Sequence, residues 1–390
     1  MIGQLRNHID HWTLYPVVFL MLMSLGIVYS AGAMWGQLQK HGDSEYFLYN
    51  HAIKVFIGVI TLFVGMRIDY HRIQRLSKLL IVIAVVSLLF TLILGVVAKG
   101  ASRWLRYGGF GFQPSEFAKY ALLFHLCSLV ATKGILVRDL RRGFLPMMIW
   151  IGLVTGLVLL QPNFSMGAMI SMLSLVILYL GRAKLSHLGM TFLLLIPVLA
   201  IYMVSAPYRM ARILAFISGN SIDTHSTYQP MQSLLGFGNG GIFGVGPGES
   251  RQRDLFLPES YGDFVFSIVG EEWGFIGTVL VMLIFLWLLY RGLKIARYAE
   301  DEFGRMLALS VTCAIVLYGL VNAGVTIGLL PTTGLPMPFV SYGGSSMVFS
   351  AFAVGILLNI SSQTDLHPRT RQVPVVGTVR ADGAGIGKVY

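Results

Sequence analysis

Residues 263–290 read DFVFSIVGEEWGFIGTVLVMLIFLWLLY. From Phe264 onward the run is long and apolar enough to cross a hydrocarbon core of roughly 30 Å as helix, the conformation that satisfies its own backbone in lipid. Asp263 stands at its head, where a glycine-dense, water-facing stretch gives way to the membrane helix. A carboxylate there is costly to bury without a partner, which makes it a functional candidate. A second reading gives Asp263 only the N-cap of the helix, accepting a bond from an amide two or three residues on.

Similar runs recur and predict about ten spans, near 13–33, 52–67, 79–98, 115–132, 145–161, 164–181, 189–205, 264–290, 306–330 and 345–361. Composition agrees, since of 390 residues 55% are hydrophobic and only 12% charged, with a mean hydropathy of +0.71. Soluble domains carry about a quarter charged residues. No alternating strand pattern suggests a barrel. The expected fold is therefore an all-α integral membrane protein, with a polytopic domain over 1–361. A long outer loop, 206–262, separates helices seven and eight, and a polar tail at 362–390 is expected to be disordered. The first run, from Trp12 to Ala31, lacks a signal-peptide cleavage pattern and is read as a span. Cys127 and Cys313 fall inside apolar runs and read as small hydrophobes.

Charge orients the bundle. Most of the 29 basic residues fall on segments that share one face if the N-terminus is inside, among them Arg72, Arg75, Arg138, Arg141, Arg291 and Arg297. The positive-inside rule then places both termini in the cytoplasm. The net charge of +11 fits topology and anionic membrane lipid better than nucleic acid. Two basic clusters remain on the outer face: Lys99, Arg103 and Arg106 in KGASRWLRYGGFGFQPSE, and Arg209, Arg212, Arg251 and Arg253 in the long loop. Arginines kept against the topology bias read as serving an anionic ligand, with a solvated rim as the bland alternative for each.

Within the long loop, YRMARILAFI predicts a short amphipathic helix lying in the interface. The glycines from 236 to 248 read either as an anion nest or as a turn-rich loop; without a GK[ST] ending they imply no nucleotide. Gln161, Pro162 and Asn163 form a tight hairpin link in which Asn163 is positioned to cap the next helix. On the fourth span Glu116 and Lys119 share a face, and each needs a partner. A Lys119–Asp263 pair would keep the carboxylate ionised, as a general base requires; a purely structural ion pair stands beside it. Glu259 lies four residues before Asp263. Glu271 and Glu272, about 12 Å further along, read either as cation ligands or, the favoured reading, as satisfying neighbouring backbone and hydroxyl groups. PTTGLPMPFVSYGGSS, residues 331–346, has too many prolines and glycines to be continuous helix, and Ser341, Tyr342 and Ser345 are expected to line the cavity of Asp263.

Together RWLRYGGFGFQPSEFAK from Arg103, YQPMQSL from Tyr228, GVGPGESRQRDLFLPES, DFVFSIVGEEWGFIG and GLLPTTGLPMPFVSYGGSS resemble the SEDS family, the peptidoglycan polymerases typified by FtsW and RodA. The GPGES and PTTGLP wording is nearer to FtsW, the division member. The resemblance implies a glycosyltransferase joining lipid II units at the outer face of the cytoplasmic membrane. It also implies a divalent cation, Mg or Mn, and a class B penicillin-binding protein as partner within the division or elongation machinery. It makes Asp263 the essential acid, with Glu116 and Lys119 in the same cavity. A His and a Thr or Ser commonly precede that acid in the family; here Tyr261 and Gly262 stand there, and a frequent QPD is QPN at Asn163. The expected chemistry has Asp263 taking the proton of the acceptor hydroxyl while Arg103, Arg106, Arg209 and Arg212 meet the charge of the departing pyrophosphate. A lipid II flippase and a non-catalytic division scaffold are the rival readings. Polar residues gather at the outer ends of the spans, which favours one-sided chemistry over transport.

Overall fold

The structure is a computed structural model. It describes residues 9–39, 42–98, 101–107, 110–205, 210, 216, 225–258 and 260–364. Among the described residues eleven α-helices carry the fold. In chain order α1 is His11–Gln39, α2 Tyr46–Arg67, α3 Tyr70–Leu94, α4 Pro114–Lys133, α5 Leu145–Leu160 and α6 Phe164–Leu180. Then come α7 Leu185–Val204, α8 His225–Gly240, α9 Val265–Arg297, α10 Glu302–Thr326 and α11 Gly344–Ser362. Among the described residues, nine helices are long and apolar enough to cross a membrane, and Phe164–Leu180 is a shorter apolar one. The protein is a multi-pass membrane protein of the expected kind.

Helices α4, α10 and α11 form the buried centre, while α7 leaves most of its apolar surface exposed at the periphery. Helices α2 and α11 meet backbone to backbone because Gly65 and Gly355 lie at their crossing. A Cβ on Gly65 would collide with the Phe352 carbonyl, and one on Gly355 with that of Leu62. In lipid, where burial gives helices little reason to associate, such close approach supplies the attraction. At the bundle end far from Asp263, the buried Arg291 guanidinium donates to both carboxylate oxygens of Asp10, and the Asp10 amide donates to Ser361 Oγ at 3.2 Å. That knot joins α1, α9 and α11, and it gives Arg291, read from sequence only as topology charge, a structural partner.

Three elements depart from the sequence reading. The end of the predicted third span and the segment after it, read from sequence only for its basic cluster, form an antiparallel sheet of β1 (Val96–Ala98), β2 (Ala101–Tyr107) and β3 (Phe110–Phe112), with Leu105 opposite Phe112. β1 and β3 are three residues each, too short to register as a pattern. Helix α9 is also interrupted, since Gly274 has φ +66° and breaks the ladder.

The third departure explains the second. The glycine-dense stretch expected at the outer surface re-enters the bundle. Helix α8 runs beside α9, with Phe237 against Phe266 and Gly240 against the Gly270 carbonyl, and the chain turns at the level of the break. There Val245 N–H donates to Glu271 O at 3.0 Å and Gly246 N–H to Glu272 O at 3.1 Å. In return Phe275 N–H donates to Gly241 O at 2.9 Å and Ile276 N–H to Ile242 O at 3.2 Å. A broken helix in lipid must find partners for the groups it frees, and the glycine loop provides them. The chain then climbs back, with Gln229 of α8 donating to Pro258 O at 3.4 Å near the rim. The expected amphipathic helix lies outside the described residues except for 210 and 216, as does the tail beyond residue 364.

Candidate active site

Asp263 sits in the turn that precedes α9, partly buried. The N-cap position belongs to Phe264, which makes no side-chain cap bond, so the simple capping role does not describe Asp263. Two segments hold it. Asn322 of α10 donates through Nδ2 to the Asp263 carbonyl at 2.7 Å and to the Leu335 carbonyl at 2.8 Å. The same amide thus stitches the head of α9 to the proline-rich segment before α11. Opposite the carboxylate stands Gly334, at φ +71°, where an added Cβ would lie 3.3 Å from Asp263 Oδ2. The missing side chain lets the proline-rich segment approach the carboxylate closely.

Lys119 pairs with Glu116 of its own helix at 2.8 Å, both buried, and not with Asp263. The expected Lys119–Asp263 pair is thereby corrected. The reason is local: three residues apart on one helix face, the two solve each other's burial without a third group. Lys119 Nζ also lies 3.9 Å from the centre of the Tyr318 ring. Tyr318 is one turn before Asn322 on α10, which sets the ion pair about 6 Å along the helix from the groups that hold Asp263. Glu116 and Lys119 therefore form a buried pair of their own beside Tyr318.

The segment 331–343 is non-helical, as expected. Ser341 Oγ accepts from the Met337 amide at 2.8 Å and closes the segment's own turn. Ser345 Oγ accepts from the Gln113 amide at 2.9 Å and docks the start of α4. Tyr342 is the member that reaches the Asp263 loop: its amide donates to Tyr261 O at 2.9 Å, and its ring meets Tyr261 edge-on. Burial, reinforced by Tyr46 and Tyr261, pushes its phenol up to about 12, so the ring is neutral.

Arg103 donates to the carbonyls of Gln161, at 3.3 Å, and Pro162, which fixes the α5–α6 turn. Asn163 occupies the N-cap of α6 without a side-chain cap bond. Arg106 lies on β2 opposite Gly111, its side chain outside the described residues, where Arg209, Arg212 and Glu259 also fall. Glu271 accepts from Ser250 Oγ, from the Gln252 amide at 3.1 Å and from Asn239 at 3.2 Å; Glu272 accepts from Ser30. Both acids do what the sequence reading assigned them, and they clamp the re-entrant loop. Among the described residues no group of three or more His, Cys, Asp or Glu gathers to hold a metal ion.

Asn322, Tyr318 and Gly334 were absent from the sequence reading. Asn322 carries the one signal that was available, an amide inside an apolar run, which needs buried partners.

The family FTSW_RODA_SPOVE, described as cell cycle protein, matches residues 11–366. A probable peptidoglycan glycosyltransferase FtsW of Trichlorobacter lovleyi is 38% identical over 359 residues, covering 92% of this chain and 94% of that one. Stage V sporulation protein E of Bacillus subtilis is 37% identical over 352 residues, 89% of this chain and 96% of that one. Among solved structures, a chain from work on structural coordination of polymerization and crosslinking by a peptidoglycan synthase complex superposes with a TM-score of 0.72 at 24% identity, covering 91% and 98%. The rod shape determining protein RodA of Thermus thermophilus follows at 0.67 and 24%, covering 91% and 97%. At that identity the two structures speak for the fold.

Proposed function

The chain belongs to the FtsW, RodA and SpoVE family of cell cycle proteins and is a peptidoglycan glycosyltransferase, and we propose that it polymerises lipid II with Asp263 as general base. The observation that carries the site assignment is the place of Asp263, only partly buried at the head of α9 with Gly334 beside its carboxylate and Asn322 fixing its backbone. A base has to be held still and remain accessible to the proton it takes.

In the proposed step the 4-hydroxyl of the acceptor GlcNAc attacks C1 of the donor MurNAc as Asp263 removes its proton. The C1–O bond breaks, and undecaprenyl pyrophosphate leaves with the bonding pair. One displacement turns an α-linked donor into a β-1,4 product, so no covalent sugar intermediate forms. Arg106, Arg209 and Arg212 are proposed to meet the growing charge. Arg103 supports that cluster by fixing the α5–α6 turn. A divalent cation enters this proposal as a companion of the substrate, because Mg2+ typically binds through phosphates plus one or two carboxylates. No resident cluster for it exists among the described residues.

The Asp263 end is proposed to face outward and both termini inward, following the basic residues at the opposite end. A class B penicillin-binding protein is proposed as partner in division, a reading supported by the fold shared with a chain of a peptidoglycan synthase complex.

The test is lipid II polymerisation by the purified protein in lipid, with the partner's transpeptidase blocked and the partner assayed alone. Strands from the wild type that vanish in folded Asp263→Asn and Asp263→Ala are expected. Wild-type strand levels in both variants would remove Asp263 as the base. No strands from the wild type, together with vectorial movement of lipid II, would favour the flippase.

A further inference from the structure

Two lysines lie within the spans on the Asp263 side of the bundle, and the structure treats them differently. Lys119 is buried against Glu116. Lys54 of α2 pairs with no carboxylate, and its ammonium makes no hydrogen bond, among the described residues. An ionised side chain inside a membrane span that lacks a counter-charge points to a ligand that supplies one.

The geometry holds that ammonium in a defined place. Lys54 Nζ lies 3.3 Å from the centre of the Tyr342 ring. Its stem passes Gly344, where an added Cβ would lie 3.5 Å from Lys54 Cε. Phe47, about two turns earlier on α2, touches the same Tyr342 ring at 5.5 Å. One ring that meets both residues requires the Lys54 stem to rise along α2 toward the Asp263 end, as a snorkelling lysine does. His51 flanks the ring at 5.7 Å and is itself engaged with Ser24 Oγ at 2.8 Å, so it offers Lys54 no negative charge. Tyr342 is tied by its amide to Tyr261, two residues before Asp263. The ammonium therefore sits one aromatic ring away from the loop that carries the acid.

A ring face offsets only part of a lysine's lost hydration and uses none of its three donors. The start of α11 at Gly344 adds a partial positive charge beside the stem. The surroundings are thus positive and short of acceptors, and the chemistry that completes them is a phosphate anchored in the membrane. We propose that Lys54, carried on the face of Tyr342, is a phosphate-binding residue of this protein and takes the pyrophosphate of its lipid-linked substrate. The assignment of that phosphate to lipid II rests on the glycosyltransferase reading; the phosphate site itself does not.

The experiment uses full-length protein in phosphatidylcholine nanodiscs and measures binding of undecaprenyl pyrophosphate to wild type, Lys54→Gln and Lys54→Arg. Loss of one charge-assisted contact is expected to weaken binding about tenfold or more in Lys54→Gln. Lys54→Arg, which keeps the charge, is expected to retain most of it. Undecaprenol, with no phosphate, is expected to bind all three alike, and phosphatidylglycerol is expected not to compete.

Equal binding of undecaprenyl pyrophosphate by wild type and Lys54→Gln would overturn the proposal. So would competition by phosphatidylglycerol at equal concentration, which would make the site a headgroup contact. A second measurement needs no variant: undecaprenyl pyrophosphate should slow acylation of Lys54 by an amine-reactive ester, read by mass spectrometry, and undecaprenol should not. Unchanged acylation would also sink it. Binding does not depend on turnover, so a wild type that binds through Lys54 yet makes no strands would refute polymerisation alone.

Discussion

Replacing Asn322 by Ala removes a side chain that holds both the Asp263 loop and the segment carrying Gly334. Its buried Nδ2 makes two bonds, at 2.7 and 2.8 Å, to the backbone carbonyls of Asp263 and Leu335. In general each such bond contributes about 1 kcal/mol net, and a buried acceptor left bare costs about 1–3 kcal/mol. In membrane proteins the unfolded reference also finds partners, and measured interhelical bonds average about 0.6 kcal/mol. The expected loss of stability is therefore about 1–3 kcal/mol. Loss of rate is expected to be larger, because a displacement of about 1 Å at a reacting group can cost about a hundredfold. Asn322→Asp, which keeps the volume but turns a carboxylate toward two carbonyls, is expected to be at least as damaging. Polymerisation of labelled lipid II, set beside the thermal midpoint in detergent, separates the two effects. Wild-type rate in a folded Asn322→Ala would refute the reasoning, and so would a rate loss no larger than the fraction unfolded.

Two further changes test the scaffold. Gly274→Ala places a Cβ against the Gly244 amide nitrogen and the Ile242 carbonyl at a φ of +66°. Backbone cannot swing aside as a side chain can, so the variant is expected to expel the re-entrant loop and lower the thermal midpoint sharply; a midpoint at the wild-type value would mean the loop is not seated in the break. Lys119→Met strands the buried Glu116 carboxylate and is expected to cost about 3–5 kcal/mol, while Glu116→Gln with Lys119→Met recovers most of it. Additive losses in the double variant, measured by the same unfolding assay, would show that the two do not act as a pair.

The spans and Asp263 were legible in the sequence because each is a local property. Twenty apolar residues must be a helix in lipid wherever their neighbours are, and an acid at the head of one is conspicuous by itself. The family resemblance was likewise carried by linear motifs. What the tertiary structure decided is pairing. Spacing on one helix lets Lys119 meet Glu116, but whether it also reaches Asp263 depends on how α4 faces the head of α9, and no local rule contains that rotation. Nor could the glycines of 236–248 announce that they enter the bundle, since the same residues make loops in water and close backbone contacts in lipid. Their destination was set by Gly274, whose break frees donors and acceptors that must be met at one depth and no other. Asn322 and Lys54 show the same division: the sequence places a polar group in an apolar run, and only the packed neighbours decide whether it ties two backbone carbonyls or rests on an aromatic ring.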